Sequence, residues 1–190
     1  MADKDELIQI QLDPDDPILA ALRLEQTLGL ERGYLEALLR EDDWSFVIKL
    51  HALLEAAVTH VIAVELGRPE LDEILSRLEL AQAVTGKLEI GKALGCLSDE
   101  DRRCVRALTE IRNGFAHDVK QVGRTLEDYV SSLNRDKMRN FVRAFGPGKP
   151  TIRVGDRDVP ELDLVRENPK ICIWMAAVFV LAMIHLHGRS

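Results

Sequence analysis

The tract Glu110–Asp118 reads E-I-R-N-G-F-A-H-D and brings an arginine, an asparagine and a histidine close together. A histidine titrates near neutral pH and can give or take a proton. An arginine holds an anion through paired, charge-assisted donors. Arg112, Asn113 and His117 are therefore the candidate site residues. On a helix, successive residues turn by ~100°. With Leu108 set at zero, Cys104, Ile111 and Phe115 fall within about 60° of it and define a core stripe. Arg112 falls at ~40°, on the edge of that stripe, Asn113 at ~140° and His117 at ~180°. Asn113 and His117 are i,i+4 neighbours, whereas Arg112 points elsewhere. One straight helix does not aim Arg112 and His117 at the same anion. Three arrangements would reconcile them: the helix bends or ends at Gly114, the Arg112 side chain wraps, or two copies meet across a twofold so that one cleft holds both sets. A purely structural role stays open beside these. Arg112 would then pair with a buried carboxylate such as Glu55 or Glu79. Asn113 and His117 would only terminate the helix, with the imidazole meeting its negative end.

Other chemistry-bearing residues are less persuasive. His51 and Glu55 are i,i+4 on one helix, with His60 further along, but no second ligand pair accompanies them, and a polar pair beside the core is the simpler reading. His185 and His187 fall at the end of the last helix, where a histidine usually answers the helix dipole or solvent. Gly146-Pro147-Gly148-Lys149 lacks the G-x-x-x-x-G-K-[ST] spacing of a phosphate-binding loop. Arg102, Arg103 and Arg106, with Arg135, Lys137, Arg139 and Arg143, form either a positive patch that would steer an anionic ligand, if they line the cleft near Arg112, or an ordinary solvated face. No recognition helix of a helix-turn-helix stands out.

The elements that must position these residues are mostly helical. Residues 1–13 read as an extended arm. Asp16-Pro17 starts a short helix that runs to about Leu28, and Tyr34–Arg40 resumes helix after Gly29 and Gly33. Apolar positions three or four apart, from Val47 to Val64, predict a long helix over about 43–66, ended by Gly67-Arg68-Pro69. Further helices are expected over about 70–85 and, more briefly, 86–95. Ser98 and Asp101 give the next helix a strong start, and it should run to about Asp118. A helix over about 124–145, a hairpin over about 151–159 around Gly155-Asp156, and a last helix over about 168–187 complete the reading. The fold class expected is all-α: an antiparallel helical bundle with a small β-hairpin insertion, in a single domain overall. Residues 1–42 would be an N-terminal arm and short helices, and residues 43–190 the bundle.

Composition removes several function classes. The 190 residues carry 25 Lys+Arg against 32 Asp+Glu, a formal charge of −7. That excludes a broadly basic nucleic-acid binder but leaves room for a local basic site. Aromatics at 5% argue against an aromatic stacking surface for single strands. Three cysteines without a C-x-x-C spacing argue against a disulfide framework or a zinc site and for a reducing compartment, so a cytoplasmic location is expected. The acidic N-terminal sequence does not resemble a secretory signal. Ile171–Ile184 is uncharged but short of the ~20 residues a membrane span needs, so it reads as the buried central helix of the bundle, with no membrane partner expected. No cofactor or metal is called for.

Arg112, Asn113 and His117 together resemble the R-x4–6-H motif of HEPN domains, in which a polar residue commonly follows the arginine. The longer stretch GKLEIGKALGCLSDEDRRCVRALTEIRNGFAHD is similar to the helix–loop–helix of the mannitol operon repressor family within that class. The same order of features is present: a helix opening near Ser45-Phe46, a Lys–Leu segment ending in Leu-Gly, and a helix ending in R-x4-H-D. The resemblance covers about Asp43–Asp118. It implies a homodimer with an RNA substrate, and an antitoxin or regulatory protein as partner. It also implies metal-independent RNA cleavage of the toxin or defence type. His117 would serve as general base or acid on the 2′-hydroxyl and the leaving 5′-oxygen, Arg112 would hold the scissile phosphate, and Asn113 would orient the imidazole or the phosphate. The alternative it implies is a non-catalytic transcriptional regulator working through protein contacts.

Overall fold

The computed structural model describes residues 25–26, 29–116 and 123–188. Among the described residues there are nine α-helices, one 3-10 turn and one two-stranded antiparallel sheet. The order is α1 (Tyr34–Leu38), α2 (Asp43–Glu65), the 3-10 turn Pro69–Leu71, α3 (Asp72–Ser76), α4 (Lys87–Leu94) and α5 (Asp99–Ala116). Then follow α6 (Leu126–Ser131), α7 (Arg135–Phe145), β1 (Thr151–Val154), β2 (Arg157–Pro160), α8 (Glu161–Glu167) and α9 (Pro169–His187).

The spine of the fold is α2. Asp42 starts it by accepting from the Ser45 backbone N–H at 2.9 Å, which satisfies one of the unpaired donors of the first turn. Apolar residues then recur so densely that Phe46, Val47, Leu50, Leu54, Ala57, Val58 and Ile62 are all fully buried. A helix apolar on more than one side has to be covered on more than one side. α5, α9 and α4 provide the cover. The described part of the first 42 residues packs on the same core. The Glu25 carboxylate accepts from Gly33 and Leu35 N–H, Leu35 and Leu38 are buried, and Trp174 Nε1 of α9 donates to the Leu35 carbonyl at 2.7 Å.

Several expectations need correcting. The helix expected over 70–85 is only the 3-10 turn and α3, followed by a return loop. There the Gln82 side-chain oxygen takes the N–H groups of Val84 and Thr85, and a local side-chain acceptor of this kind competes with the helix ladder. Gly86 closes the loop where a Cβ would lie 2.6 Å from the Gln82 nitrogen, so only glycine fits without a shift. The helix expected over 124–145 is two helices, α6 and α7. Thr125 and Asp128 form a capping box on α6, and Asn134 caps α7 by accepting from Lys137 N–H at 2.9 Å. A second N-cap inside an apolar-periodic stretch ends one helix and starts another. α8 has no counterpart among the expected elements; it follows Pro160 directly, and its Val165 is fully buried. The hairpin is present, with Thr151 opposite Pro160 and Val154 opposite Arg157. The Asp16–Leu28 helix falls outside the described residues, except that Glu25 and Gln26 are helical.

α9 departs from its expected role in one respect. Among the described residues two helices, α2 and α9, are long and apolar enough to cross a membrane by length and composition alone, a test that core helices also pass. One side of α9 is core, with Ile173, Ala177 and Ala182 fully buried, but the opposite side is open. It is therefore a flanking helix, and α2 holds the central position.

Candidate functional site

α5 carries the candidate residues, and its start is built as its sequence suggests. Asp101 accepts from Ser98 N–H at 2.9 Å and Ser98 Oγ accepts from Asp101 N–H at 3.1 Å, a reciprocal cap. The helix then continues without interruption through Gly114 to Ala116. It does not end at the glycine. The side chain of Arg112 instead reaches along the helix surface, and its Nη1 donates to Asn113 Oδ1 at 3.1 Å. Both residues are half-buried. The contact joins Arg112 to its neighbour Asn113. His117 lies outside the described residues.

The structural alternative for Arg112 is not what the carboxylates do. Glu55 pairs with Lys87 Nζ at 2.7 Å, and the same ammonium donates to Thr59 Oγ1 at 3.1 Å. Lys87 is 0% exposed. Its charge is thus matched inside the protein, as a buried ammonium requires. Among the described residues no carboxylate stands at ion-pair distance from Arg112. The charge of Arg112 is felt by His51, which is buried in α2. Burial first, then the positive charges of Arg112 and Lys87, push the His51 pKa below the usual 6.5, with Glu55 opposing. Thr109 Oγ1 donates to the Val105 carbonyl at 2.8 Å, so the 3.2 Å contact with His51 Nε2 is one in which the imidazole donates. His51 and Glu55 are therefore parts of a polar seam between α2, α4 and α5, the simpler of the two readings of that pair. At the far end of α2, His187 Nε2 meets Glu65 at 3.2 Å, tying α9 to α2.

The basic residues divide sharply. Arg102, Arg103 and Arg106 of α5 and Lys137 and Arg143 of α7 line one groove of about 710 Å3, joined by Lys92 of α4. Six cations therefore face two carboxylates, Asp99 and Glu110, on a chain whose net charge is −7. Arg135 and Arg139 do not line it, and Arg139 pairs with Asp136 on the open surface. The walls differ in how far their charge is already spent. Arg102 bridges Glu89 and Asp99 with a side chain only 8% exposed, and Arg106 also holds Glu89. The Arg102 Nε–H is buried and finds no acceptor among the described residues. Lys92, Lys137 and Arg143 are exposed, with no carboxylate at ion-pair distance among the described residues. The α5 cations thus shape the floor, while the α4 and α7 cations stay available to an anion.

Tyr129 and Asn140 line the groove as well, and neither was singled out by sequence reasoning. Tyr129 lies 6.2 Å from Phe115 and 6.3 Å from Phe141, and Arg124 is 5.4 Å from its ring centre. Burial, together with Glu110, raises its pKa, so the phenol stays protonated and can donate a hydrogen bond. On α5, Arg106 and Asn113 are seven residues apart, which places them on nearly the same face about 10 Å along the axis. Asn113 thus shares a helix face with Arg106, but neither Asn113 nor Arg112 lines the groove, whose α5 wall ends at Glu110. The three cysteines are buried, and burial pushes the Cys104 thiol up to about 12, which makes it a poor nucleophile. Comparison of the chain with family models, with curated proteins and with solved structures finds no match.

Proposed function

We propose that this chain acts on RNA as a HEPN-like protein, a helical bundle that works in the cytoplasm as a homodimer. The groove between α5 and α7 would hold the phosphates of a strand, and the Arg112–His117 tract would cut it without a metal ion. The observation that carries the reading is the gathering of six cations in one groove of an acidic protein, three of them without an ion-pair partner among the described residues. A phosphate backbone is the common ligand for such a lining, and its binding is set by the number of cations it meets. In the proposed reaction the 2′-oxygen bonds to phosphorus and the P–O5′ bond breaks. The proton lost from the 2′-hydroxyl is made good at the 5′-oxygen. His117 carries one of these transfers, Arg112 bears on the phosphate oxygens, and Asn113 orients it through their shared hydrogen bond.

The test is fluorescence anisotropy with a labelled single-stranded RNA over a salt series, followed by cleavage in the presence of a chelator. Replacing Lys137 and Arg143 with glutamate should abolish binding at physiological salt. Replacing both with alanine should reduce the salt slope by about 1.4, at roughly 0.7 for each phosphate that is no longer neutralised. His117→Ala should bind normally and cut about 100- to 10,000-fold more slowly. Binding unaffected by the groove variants sinks the proposal. RNA bound but never cut would remove the cleavage step, and a pull-down that recovers a protein or operator complex insensitive to His117→Ala would move the function to the non-catalytic regulator.

A further inference from the structure

α9 presents a second surface, apart from the groove; what it carries rests on the homodimer of the proposed function and gives that homodimer its contact face. Ile171, Met175, Phe179 and Met183 are 49%, 58%, 53% and 40% exposed. They are spaced by four, so they form a stripe about 18 Å long that drifts by ~40° at each step and covers ~120° of the helix surface. From Ile171 to Gly188 there is no Asp, Glu, Lys or Arg to break it. Four half-exposed large side chains amount to on the order of 400 Å2 of apolar surface, within the range of the largest patch on a monomer, which is often functional.

We infer that this face is the contact between two copies of the chain, with their α9 helices antiparallel across a twofold axis on the exposed side of the helix, at the level of residue 177. The spacing fits that occupant. Reflection through position 177 exchanges Ile171 with Met183 and Met175 with Phe179, so each stripe residue meets a stripe residue of the second copy, as a self-complementary interface requires. The central pairs bring a thioether against a ring, a favourable contact. Two such faces bury about 800 Å2 of apolar area. At the ~65% apolar share of homodimer interfaces this corresponds to roughly 1,200 Å2 in total, the lower bound of a specific interface. A lipid surface fits less well. Helices that lie on membranes display Lys and Arg beside the apolar face. The one such cation flanking this stripe within the described residues, Lys170, is held by Asp43 at 3.1 Å.

Sedimentation equilibrium of the full chain from about 1 to 100 μM tests the inference. The wild type should be a dimer. Phe179→Asp should weaken association at least about a hundredfold, because a carboxylate would be buried without a partner. Ile74→Asp, at a residue 60% exposed on α3, should leave the dimer intact. If circular dichroism shows Phe179→Asp unfolded, Met175→Gln with Met183→Gln gives the same reading more gently. A monomeric wild type, a dimer indifferent to both sets of substitutions, or binding of the stripe to neutral vesicles in place of self-association would overturn it.

Discussion

At the scale of single residues, two neighbouring sites on α5's surroundings divide the polar groups between structure and ligand. Lys87 belongs to structure: fully buried, it has Glu55 and Thr59 as its partners. Replacing it with alanine removes the charge that balances Glu55 and opens a hole beneath α4. The expected cost is about 3 kcal/mol, the lower end for breaking a buried pair because Glu55 is 34% exposed and can partly rehydrate. Urea unfolding of Lys87→Ala measures it directly, and a midpoint equal to that of the wild type would contradict the assignment. Arg112 belongs to the other group, free of any carboxylate among the described residues and joined to Asn113. Its place at the edge of the core stripe was legible from helical phase alone. The Lys87–Glu55 pair was not, because the residues are 32 positions apart and their meeting depends on a return loop with no periodic signal.

At the scale of elements, two glycines in helices make opposite predictions. Gly114 lies inside α5 with nothing near a would-be Cβ, so Gly114→Ala should stabilise the fold by about 0.5–1 kcal/mol through helix propensity. If RNA cleavage survives that change, no bend at Gly114 is needed, consistent with an uninterrupted helix. Gly91 lies against Leu97, where a Cβ would stand 2.8 Å from the Leu97 Cγ. Gly91→Ala should therefore destabilise by about 1–3 kcal/mol as overpacking. Thermal melts of the two variants should move in opposite directions. The same physics explains which elements could be read from sequence. α2 and α9 carry long apolar runs and α5 a core stripe behind a sharp start signal, so the 43–66, 98–118 and 168–187 expectations agree with them to within a few residues over the described chain. The 70–85 and 124–145 stretches carry helical periodicity too. In them Gln82 and Asn134 supply local acceptors that interrupt the ladder, and such side-chain choices are settled by packing that periodicity does not see.

At the scale of the whole molecule, α2 and α5 are joined across a seam containing a neutral imidazole, and this fixes the sign of a pH effect. His51 is held below its ordinary pKa by burial and by the neighbouring charges of Arg112 and Lys87. The unfolded chain therefore binds a proton near pH 6.5 that the folded chain refuses, so stability falls as pH drops below about 6.5 and levels only beneath the folded-state pKa. Asp42 and Asp99 act further down the scale. The hydrogen bonds of Ser45 to Asp42 and of Arg102 to Asp99 hold both carboxyls below 3.8, so the stability they add is present above that pH and is lost as it falls. The two effects separate by range. Between pH 7.5 and 5.5 the urea midpoint of the wild type should decline, while His51→Gln, which keeps a donor for Thr109 but cannot take up the proton, should be flatter over the same interval. Below pH 4 both proteins should lose stability in parallel. A wild-type midpoint that holds level from 7.5 to 5.5 would mean that the imidazole is protonated in the folded protein. The seam would then hold three positive charges, His51, Lys87 and Arg112, against Glu55, and the electrostatic account of how α5 is seated on α2 would have to be replaced.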